Sequence, residues 1–247
     1  MKNFSVISEI ASSHCGQVQL IKKISNIHCR TNSDYLKFQI FKTKNLFSQK
    51  NKKFERFKKI EINFKDWEFL INKYLKKSKL ILEPFDEESY EFCKKFKKKV
   101  CLKISSSESE NINLILDAIK NFNKIFINVS GMSIEKIKKI CSTILKKESY
   151  KKKIIFMYGF QSYPTKVSDL RFDLFKFFKK RGLNYGYSDH SEFGINKKLI
   201  DICTYAIKKE KCKYLEKHVC ANLNDKPNDY ITSINIKDMN FFIKKIH

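Results

Sequence analysis

Short apolar runs alternate along the chain with longer segments whose apolar residues recur every three or four positions. The first run, residues 4–9, is followed by Val18, Ile21, Ile24 and Ile27. Alternation of period two predicts a strand, and spacing of three or four predicts an amphipathic helix. The same pair of patterns recurs, with further apolar runs at residues 35–41, 80–85, 100–104, 125–129, 154–157, 183–187 and 214–215.

Eight such strand–helix repeats predict a (β/α)8 barrel, the TIM barrel of the α/β class, formed by one domain over residues 1–247. A doubly wound open sheet is the alternative, although no G-x-G-x-x-G segment follows the first strand. Asp66 and Asp86 precede helical patterns and are predicted to cap them.

Polar side chains follow or end most of the apolar runs, where a barrel of this kind carries its active site. They include Glu9, Lys37, Gln39, Glu83, Lys103, Ser106, Glu108, Gln161, Tyr163, Ser188, His190 and His218. Lys37 and Lys103 lie inside apolar strands, where a lysine is costly to bury without a partner. A structural ion pair with Glu9 or Glu108 is one interpretation. A pair of ammonium groups that binds an anion is the interpretation we favour.

His190 and His218 end two consecutive strands, so their rings could converge on one divalent cation. Each adjoins a carboxylate, Asp189 or Glu216, that could hold a ring nitrogen. The alternative is that both are ordinary strand-end residues bonded to the backbone. Because two histidines share this arrangement, the sequence favours metal binding.

The net charge of +25 suggests a nucleic-acid partner, but the lysines are spread over almost every polar face. We therefore expect no specific nucleic-acid binding, and the charge favours anionic small molecules.

No apolar stretch approaches the roughly 20 residues of a membrane span, so we expect no membrane partner. The start of the chain runs straight into a strand-like segment, and the eight cysteines form no C-x-x-C pair. These features favour a cytoplasmic location with reduced thiols.

Eight short motifs stand at the strand ends: Ser8-Glu9-Ile10 with His14 and Gly16, residues 36–42, Glu83-Pro84-Phe85-Asp86, residues 103–108, Ser130-Gly131-Met132, Tyr163-Pro164-Thr165, residues 186–190 and Glu216-Lys217-His218. In this order they resemble A-E-I-G-x-N-H-x-G, V-K-F-Q-x-F-K, T-P-F-D, K-I-A-S-G-E, T-G-M, Y-P-T, G-Y-S-D-H and E-K-H of the N-acetylneuraminate (sialic acid) synthase family. That family condenses phosphoenolpyruvate with an N-acylated amino sugar aldehyde.

The resemblance implies roles for individual residues. The divalent ion, manganese first with magnesium or cobalt as alternatives, would be held by His190 and His218. The phosphate and carboxylate of phosphoenolpyruvate would be held by Lys37, Lys103, Ser106 and Ser188. The residues facing the sugar or its aldehyde would be Glu9, Gln39, Glu108, Gln161, Tyr163 and Asp229. Glu9 or Glu108 would orient or deprotonate water, and a homodimer is expected by analogy.

The chain departs from the family at several positions. Glu83 stands in place of a threonine, Val129-Ser130 in place of Ser-Thr, Phe160 in place of a small polar residue, and Ser13 in place of an asparagine. The family's C-terminal antifreeze-like domain is not represented after the barrel. Either a separate polypeptide supplies it, or the sugar is held differently, or the chain is a fragment or a decayed copy. An alternative is a catalytically impaired family member that acts as a sugar- or metal-binding partner subunit.

Overall fold

Parallel strands form a closed barrel in the part of the chain that the structure describes. The structure is a computed structural model and describes residues 3–160, 164–165, 170 and 172–247. The barrel strands are β1 (Ser5–Glu9), β2 (Tyr35–Ile40), β3 (Lys79–Pro84), β4 (Cys101–Ile104), β5 (Ile125–Asn128), β6 (Ile154–Tyr158), β7 (Asn184–Asp189) and β8 (Tyr214–Cys220). Each pairs with the next, and β1 also pairs with β8. The predicted TIM barrel is therefore confirmed, and the open sheet is excluded.

Helices follow the strands on the outside of the barrel. The helices are α1 (Val18–His28), α2 (Thr43–Leu46), α3 (Phe54–Ile60), α4 (Phe64–Leu75), α5 (Glu87–Lys94), α6 (Ile112–Asn121), α7 (Ile134–Ile144), α8 (Glu148–Lys153), α9 (Asp173–Lys180), α10 (Lys197–Thr204) and α11 (Met239–Ile246). A π-helical turn, Tyr205–Lys209, extends α10. Short 3-10 turns are formed by Leu223–Asp225, Tyr230–Thr232 and Ile236–Asp238.

The structure differs from the sequence predictions at three places. Helix α4 is capped by the side chain of Asn63, which accepts from the backbone N–H of Asp66, so the prediction of Asp66 as the cap is wrong. The segment between β2 and α4 contains two short helices, α2 and α3, that the spacing of apolar residues did not predict. A ninth strand, β9 (Ser233–Asn235), pairs with the end of β8. The predicted cap of α5 is confirmed, since Asp86 accepts from the N–H of Ser89.

Two apolar clusters stabilise the barrel, one on each side of its wall. The larger lies between strands and helices, and α4 contributes Trp67, Leu70, Ile71 and Tyr74 to it at helical spacing. The smaller fills the barrel interior and consists of Ile7, Tyr35, Ile81, Phe126, Ile155 and Met157. The interior of this barrel is thus a packed core below its C-terminal mouth.

Among the described residues, no helix is both long and apolar enough to cross a membrane.

Candidate active site

Charged side chains form a layer in the barrel directly above the interior apolar cluster. Glu9, Lys37 and Glu83 each follow a member of that cluster by two residues, namely Ile7, Tyr35 and Ile81. Lys103 and Glu216 likewise follow Cys101 and Tyr214, which pack against the cluster. Because side chains alternate along a strand, all five point to the barrel interior. The period of two thus places acids and lysines at one level.

Lys37 contacts three carboxylates at once. Its Nζ pairs with Glu9, lies 2.7 Å from Glu83 Oε2 and lies 3.2 Å from Glu216 Oε1. Lys103 Nζ lies 2.6 Å from the same Glu216 oxygen and 3.8 Å from Glu83 Oε1. None of these side chains is more than 3% exposed. The structure therefore realises the ion-pair interpretation for both lysines, with Glu83 and Glu216 among the partners and without Glu108.

Burial and mutual charge set the protonation of this layer. Burial raises the pKa of Glu9 to about 7, although the ammonium group of Lys37 opposes the shift. Burial alone would raise the pKa of Glu216, but Lys103 and Lys37 outweigh it and hold the pKa well below its usual range. Burial would lower the pKa of Lys37, but Glu216, Glu83 and Glu9 raise it well above its usual value. Both Lys37 and Glu216 are consequently charged at neutral pH.

The rings of His190 and His218 meet at the mouth, with centroids 5.2 Å apart and planes at 90°. Nδ1 of His190 lies 3.1 Å from the carbonyl oxygen of Phe160. Nδ1 of His218 lies 3.4 Å from Thr232 Oγ1, which itself donates to the carbonyl of Asp229. A carbonyl can only accept, so Nδ1 of His190 carries the proton and its Nε2 carries the lone pair.

Burial lowers the pKa of His190 to about 4 and that of His218 well below its usual value. Both imidazoles are therefore neutral, which is the form that binds a metal. The carboxylates that adjoin them in sequence, which were predicted to hold a ring nitrogen, contact lysines. Asp189 lies 2.6 Å from Lys217, and Glu216 bridges Lys37 and Lys103.

A cavity of about 250 Å³ opens above the charged layer at the C-terminal mouth. Its size is at the small end for small-molecule sites. The predicted residues that line it are Lys37, Gln39, Lys103, Ser106, His190, His218 and Asp229, and Glu83 and Glu216 line it with them. Asp229 reaches it from the loop after β8 and accepts a hydrogen bond from the backbone N–H of Ser12. Seven of the predicted site residues are thus brought to one small cavity.

The remaining predicted residues are placed elsewhere or lie outside the described part. Glu9 is completely buried next to Lys37, one layer below the cavity. Ser188 is 1% exposed, and its Oγ has no hydrogen-bond partner among the described residues. Glu108 lines a different cavity, between α5 and α6, and bonds to Asn111. The structure therefore does not place Glu108 among the residues that line the common cavity. Gln161 and Tyr163 lie outside the described residues.

Sequence reasoning missed Asn128 and underestimated Glu216. Asn128 lines the cavity and follows the interior Phe126 by two residues. The sequence predicts Glu216 only as a partner for a histidine, yet it bridges the two lysines. The signal for both was available, because each lies two residues beyond an inward-facing aromatic side chain on its strand.

The donor set fits a divalent ion in an open site. Two neutral imidazoles line the same cavity with ring centroids 5.2 Å apart, and neutral imidazole is a common ligand of divalent metals. In the described ranges, no group of three or more His, Cys, Asp or Glu side chains is arranged to hold a metal. His190 and His218 would therefore leave coordination positions for substrate or water.

Comparison with known proteins relates the chain to synthases of acidic sugars. N,N'-diacetyllegionaminic acid synthase of Campylobacter jejuni is 25% identical over 263 residues, which cover 100% of this chain and 76% of that protein. The N-acetylneuraminic acid synthetase of Leptospira borgpetersenii, solved with citrate, superimposes with a TM-score of 0.85 at 20% identity, covering 99% of this chain and 83% of that one. For a spore coat polysaccharide biosynthesis protein of Bacillus subtilis the TM-score is 0.81 at 18% identity, covering 98% and 67%.

The two solved structures establish the likeness in fold. A family model matches residues 25–247, which include β2 to β8 and every cavity-lining residue named above except Ser12. On that match, the chain belongs to the NeuB family.

Proposed function

We propose that the chain is a nonulosonic (sialic) acid synthase-like barrel. It would condense phosphoenolpyruvate with an N-acylated amino sugar aldehyde such as N-acetylmannosamine and release phosphate. The observation that carries the proposal is the joint placement of Lys37 and Lys103 with His190 and His218 around one cavity. Paired ammonium groups suit a phosphorylated acid, and paired imidazoles suit a divalent ion. Family membership and the legionaminic acid synthase relative support the same chemistry.

The residues of the chain would bind and orient both substrates. Lys37 and Lys103, with the hydroxyls of Ser106 and Ser188, would hold the phosphate and carboxylate of phosphoenolpyruvate. Gln39 and Asp229, which line the cavity, would face the sugar together with Gln161 and Tyr163. His190 and His218 would hold the divalent ion, manganese first with magnesium or cobalt as alternatives. When bound, such an ion supplies a Lewis acid that polarises the aldehyde oxygen.

The bond changes balance without an oxidant or a reductant. Carbon 3 of phosphoenolpyruvate attacks the aldehyde carbon, water adds at carbon 2, and phosphate leaves by C–O cleavage. The ammonium groups of Lys37 and Lys103 would balance the charge on the departing phosphate. Of the two carboxylates predicted to handle water, Glu9 contacts Lys37 whereas Glu108 lies at another cavity. Neither lines the cavity that Lys37 and Lys103 share, so Glu9 and Glu108 both stay candidates for the group that orients or deprotonates this water.

The direct test is release of phosphate from phosphoenolpyruvate with a panel of N-acylated amino sugars, with and without manganese. The expected result is sugar-dependent phosphate release together with a product whose mass equals both substrates plus water minus phosphoric acid. Absence of release with every sugar, even with an added C-terminal domain polypeptide, would refute the proposal. Sugar or metal binding without turnover would then support the alternative, a partner subunit that has lost catalysis.

The metal site can be tested without turnover. Manganese that binds the folded chain raises its melting temperature by mass action. We expect this rise in the unsubstituted chain and its loss in His218→Asn, while His14→Asn, a buried histidine outside the cavity, should retain it. An equal rise in all three proteins would contradict binding at this pair. Light scattering on the same samples tests the expected homodimer.

A further inference from the structure

Glu83 occupies the place in which an anion would bind. Its Oε2 lies 2.7 Å from Lys37 Nζ and its Oε1 lies 3.8 Å from Lys103 Nζ, so one carboxylate faces both ammonium groups. The same Oε2 accepts a hydrogen bond of 3.2 Å from Gln39 Nε2. Glu83 is 3% exposed and lines the cavity. A phosphate or carboxylate entering from the mouth therefore meets a carboxylate already seated on the lysines.

Three carboxylates already contact the ammonium group of Lys37, which leaves little room for a further anion. An ammonium group has three N–H donors, and the Nζ of Lys37 faces three carboxylates, those of Glu9, Glu83 and Glu216. The three carboxylates also outnumber the two ammonium groups, those of Lys37 and Lys103, that they face. A bound anion must therefore displace one of the carboxylates, or it meets net repulsion.

Of the three, Glu83 is the carboxylate whose position makes it displaceable. Glu9 is fully buried, does not line the cavity and also accepts a 2.7 Å hydrogen bond from the backbone N–H of Ala11. Glu216 bridges both lysines through one oxygen at 3.2 and 2.6 Å. Beyond the two lysines, Glu83 accepts a hydrogen bond from the partly exposed amide of Gln39, which lines the same cavity.

We propose that Glu83 is an internal counter-anion that competes with anionic ligands for Lys37 and Lys103. Binding of a phosphorylated acid is then an exchange in which the ligand takes the place of the Glu83 carboxylate. Glu83 thereby sets the affinity of this chain for such ligands below what the paired lysines alone would give. This inference rests on the proposed function for the identity of the natural ligand, but the competition itself applies to any anion of this class.

The test is calorimetric titration of the full chain with inorganic phosphate and, separately, with phosphoenolpyruvate. We expect Glu83→Gln, which keeps the shape of the side chain and removes its charge, to bind both anions at least tenfold more tightly. Glu83→Thr, which removes the carboxylate altogether, should act in the same direction. The matched control is Glu210→Gln, a carboxylate 6% exposed and 2.9 Å from Lys179, away from the cavity, and it should bind like the unsubstituted chain. Unchanged or weaker binding in the folded Glu83 variants would overturn the proposal.

A second measurement needs no variant. In crystals of the unsubstituted chain soaked with inorganic phosphate, we expect phosphate on Lys37 and the Glu83 carboxylate withdrawn from it. Phosphate bound on Lys37 with Glu83 still in contact would overturn the proposal. Failure of phosphate to bind either the unsubstituted chain or the Glu83 variants would overturn it as well.

Turnover assays separate this inference from the proposed function. Tighter anion binding by Glu83→Gln without phosphate release from any sugar would leave the inference standing and remove the function. Sugar-dependent turnover with no fall in the KM for phosphoenolpyruvate in Glu83→Gln would support the proposed function and remove the inference about Glu83.

Discussion

A buried lysine is tolerated in this barrel because its charge is matched by several acids. Lys37 is 1% exposed, and Glu9, Glu83 and Glu216 surround its Nζ. Removing an ion from such a group leaves the opposite charges buried and uncompensated, which costs more than the pairing itself contributes. The lysine is therefore required for stability as well as for the proposed chemistry.

Lys37→Met should lower the free energy of unfolding by about 3–5 kcal/mol, the usual cost of breaking a buried ion pair. Urea denaturation at pH 7 measures this. The control is Lys197→Met, whose side chain is 88% exposed and pairs with Asp201 on the surface of α10, where little measurable change is expected. Similar losses of unfolding free energy in the two variants would show that the buried ion pairs of Lys37 stabilise the fold no more than a surface pair does.

His28 should make the protein sensitive to acid. The ring lies between Ser8 Oγ at 3.1 Å and Ser78 Oγ at 2.8 Å, and burial lowers its pKa to about 4, partly opposed by Asp34. Between about pH 6.5 and 4 the unfolded chain binds a proton that the folded chain does not, so stability falls as the pH falls. At about 1.4 kcal/mol per pKa unit, the loss is roughly 3 kcal/mol.

The measurement is the free energy of unfolding of the unsubstituted chain and of His28→Asn at several pH values between 7 and 4. The difference between the two proteins should shrink by roughly that amount as the pH falls, because the variant lacks the titrating group. His14 and His190 shift in the same direction and remain in both proteins. Parallel pH curves would contradict the role assigned to His28.

Strand periodicity was enough to predict which side chains face the mouth. Lys37, Lys103 and His218 lie within their strands, so alternation fixes their direction, and all three line the cavity. Glu108 could not be predicted in this way. Strand β4 ends at Ile104, and Glu108 lies beyond it in a turn where a period of two no longer applies.

The partners of the lysines also could not be predicted. Which acid reaches which ammonium group depends on the stagger of neighbouring strands, and that stagger is set by closure of the barrel rather than by any local pattern.

At the scale of the elements, close packing of β6, β7 and β8 positions the histidines. A Cβ added at Gly186 would lie 2.6 Å from Tyr214 Cβ and 2.7 Å from both Met157 Sδ and the backbone oxygen of Tyr214. Glycine therefore allows β7 to approach both neighbouring strands, and the same strand carries Ser188 and leads into His190. The glycine of this motif is explained by a close approach of backbones.

Gly186→Ala should destabilise the fold by about 1–3 kcal/mol, because the contacts include backbone that cannot rotate away. It should also weaken the manganese-dependent rise in melting temperature, since β7 must move. Gly182→Ala is the control: its φ of +62° costs about 1 kcal/mol, but nothing lies within 4 Å of the added methyl group. Equal manganese responses in these two variants would argue against a positioning role for Gly186.

The element order followed from the sequence, whereas several local details did not. Eight apolar runs separated by helical periods specify alternating strands and helices, and parallel strands with such crossovers leave few arrangements. Asn63 rather than Asp66 caps α4. The prediction failed because an acid in the first turn and an acid at the cap look alike in sequence. Strand β9 has only three residues and pairs with the end of β8, so it has no apolar run long enough to predict a strand.

At the scale of the whole molecule, the excess of 51 lysines and arginines over 26 acids is largely a surface property. In the cavity, the two lysines are matched by acids. Duplex DNA should therefore associate weakly, without sequence preference, and with an affinity that falls steeply as salt rises. Fluorescence anisotropy at 20, 50 and 150 mM salt with two unrelated duplexes tests this. Tight binding of one duplex at the highest salt would contradict it.

The packed layer beneath the charged residues determines how molecules can enter and leave the cavity. Ile7, Ile81 and Phe126 are completely buried, and below them Lys124 ties together the hydroxyls of Tyr35 and Tyr214 at 3.0 and 3.2 Å. The barrel is thus closed at the end opposite the cavity. A molecule that enters the cavity at the C-terminal mouth must leave through the same opening. Release of one molecule therefore has to precede entry of the next, so slow release delays each new binding event.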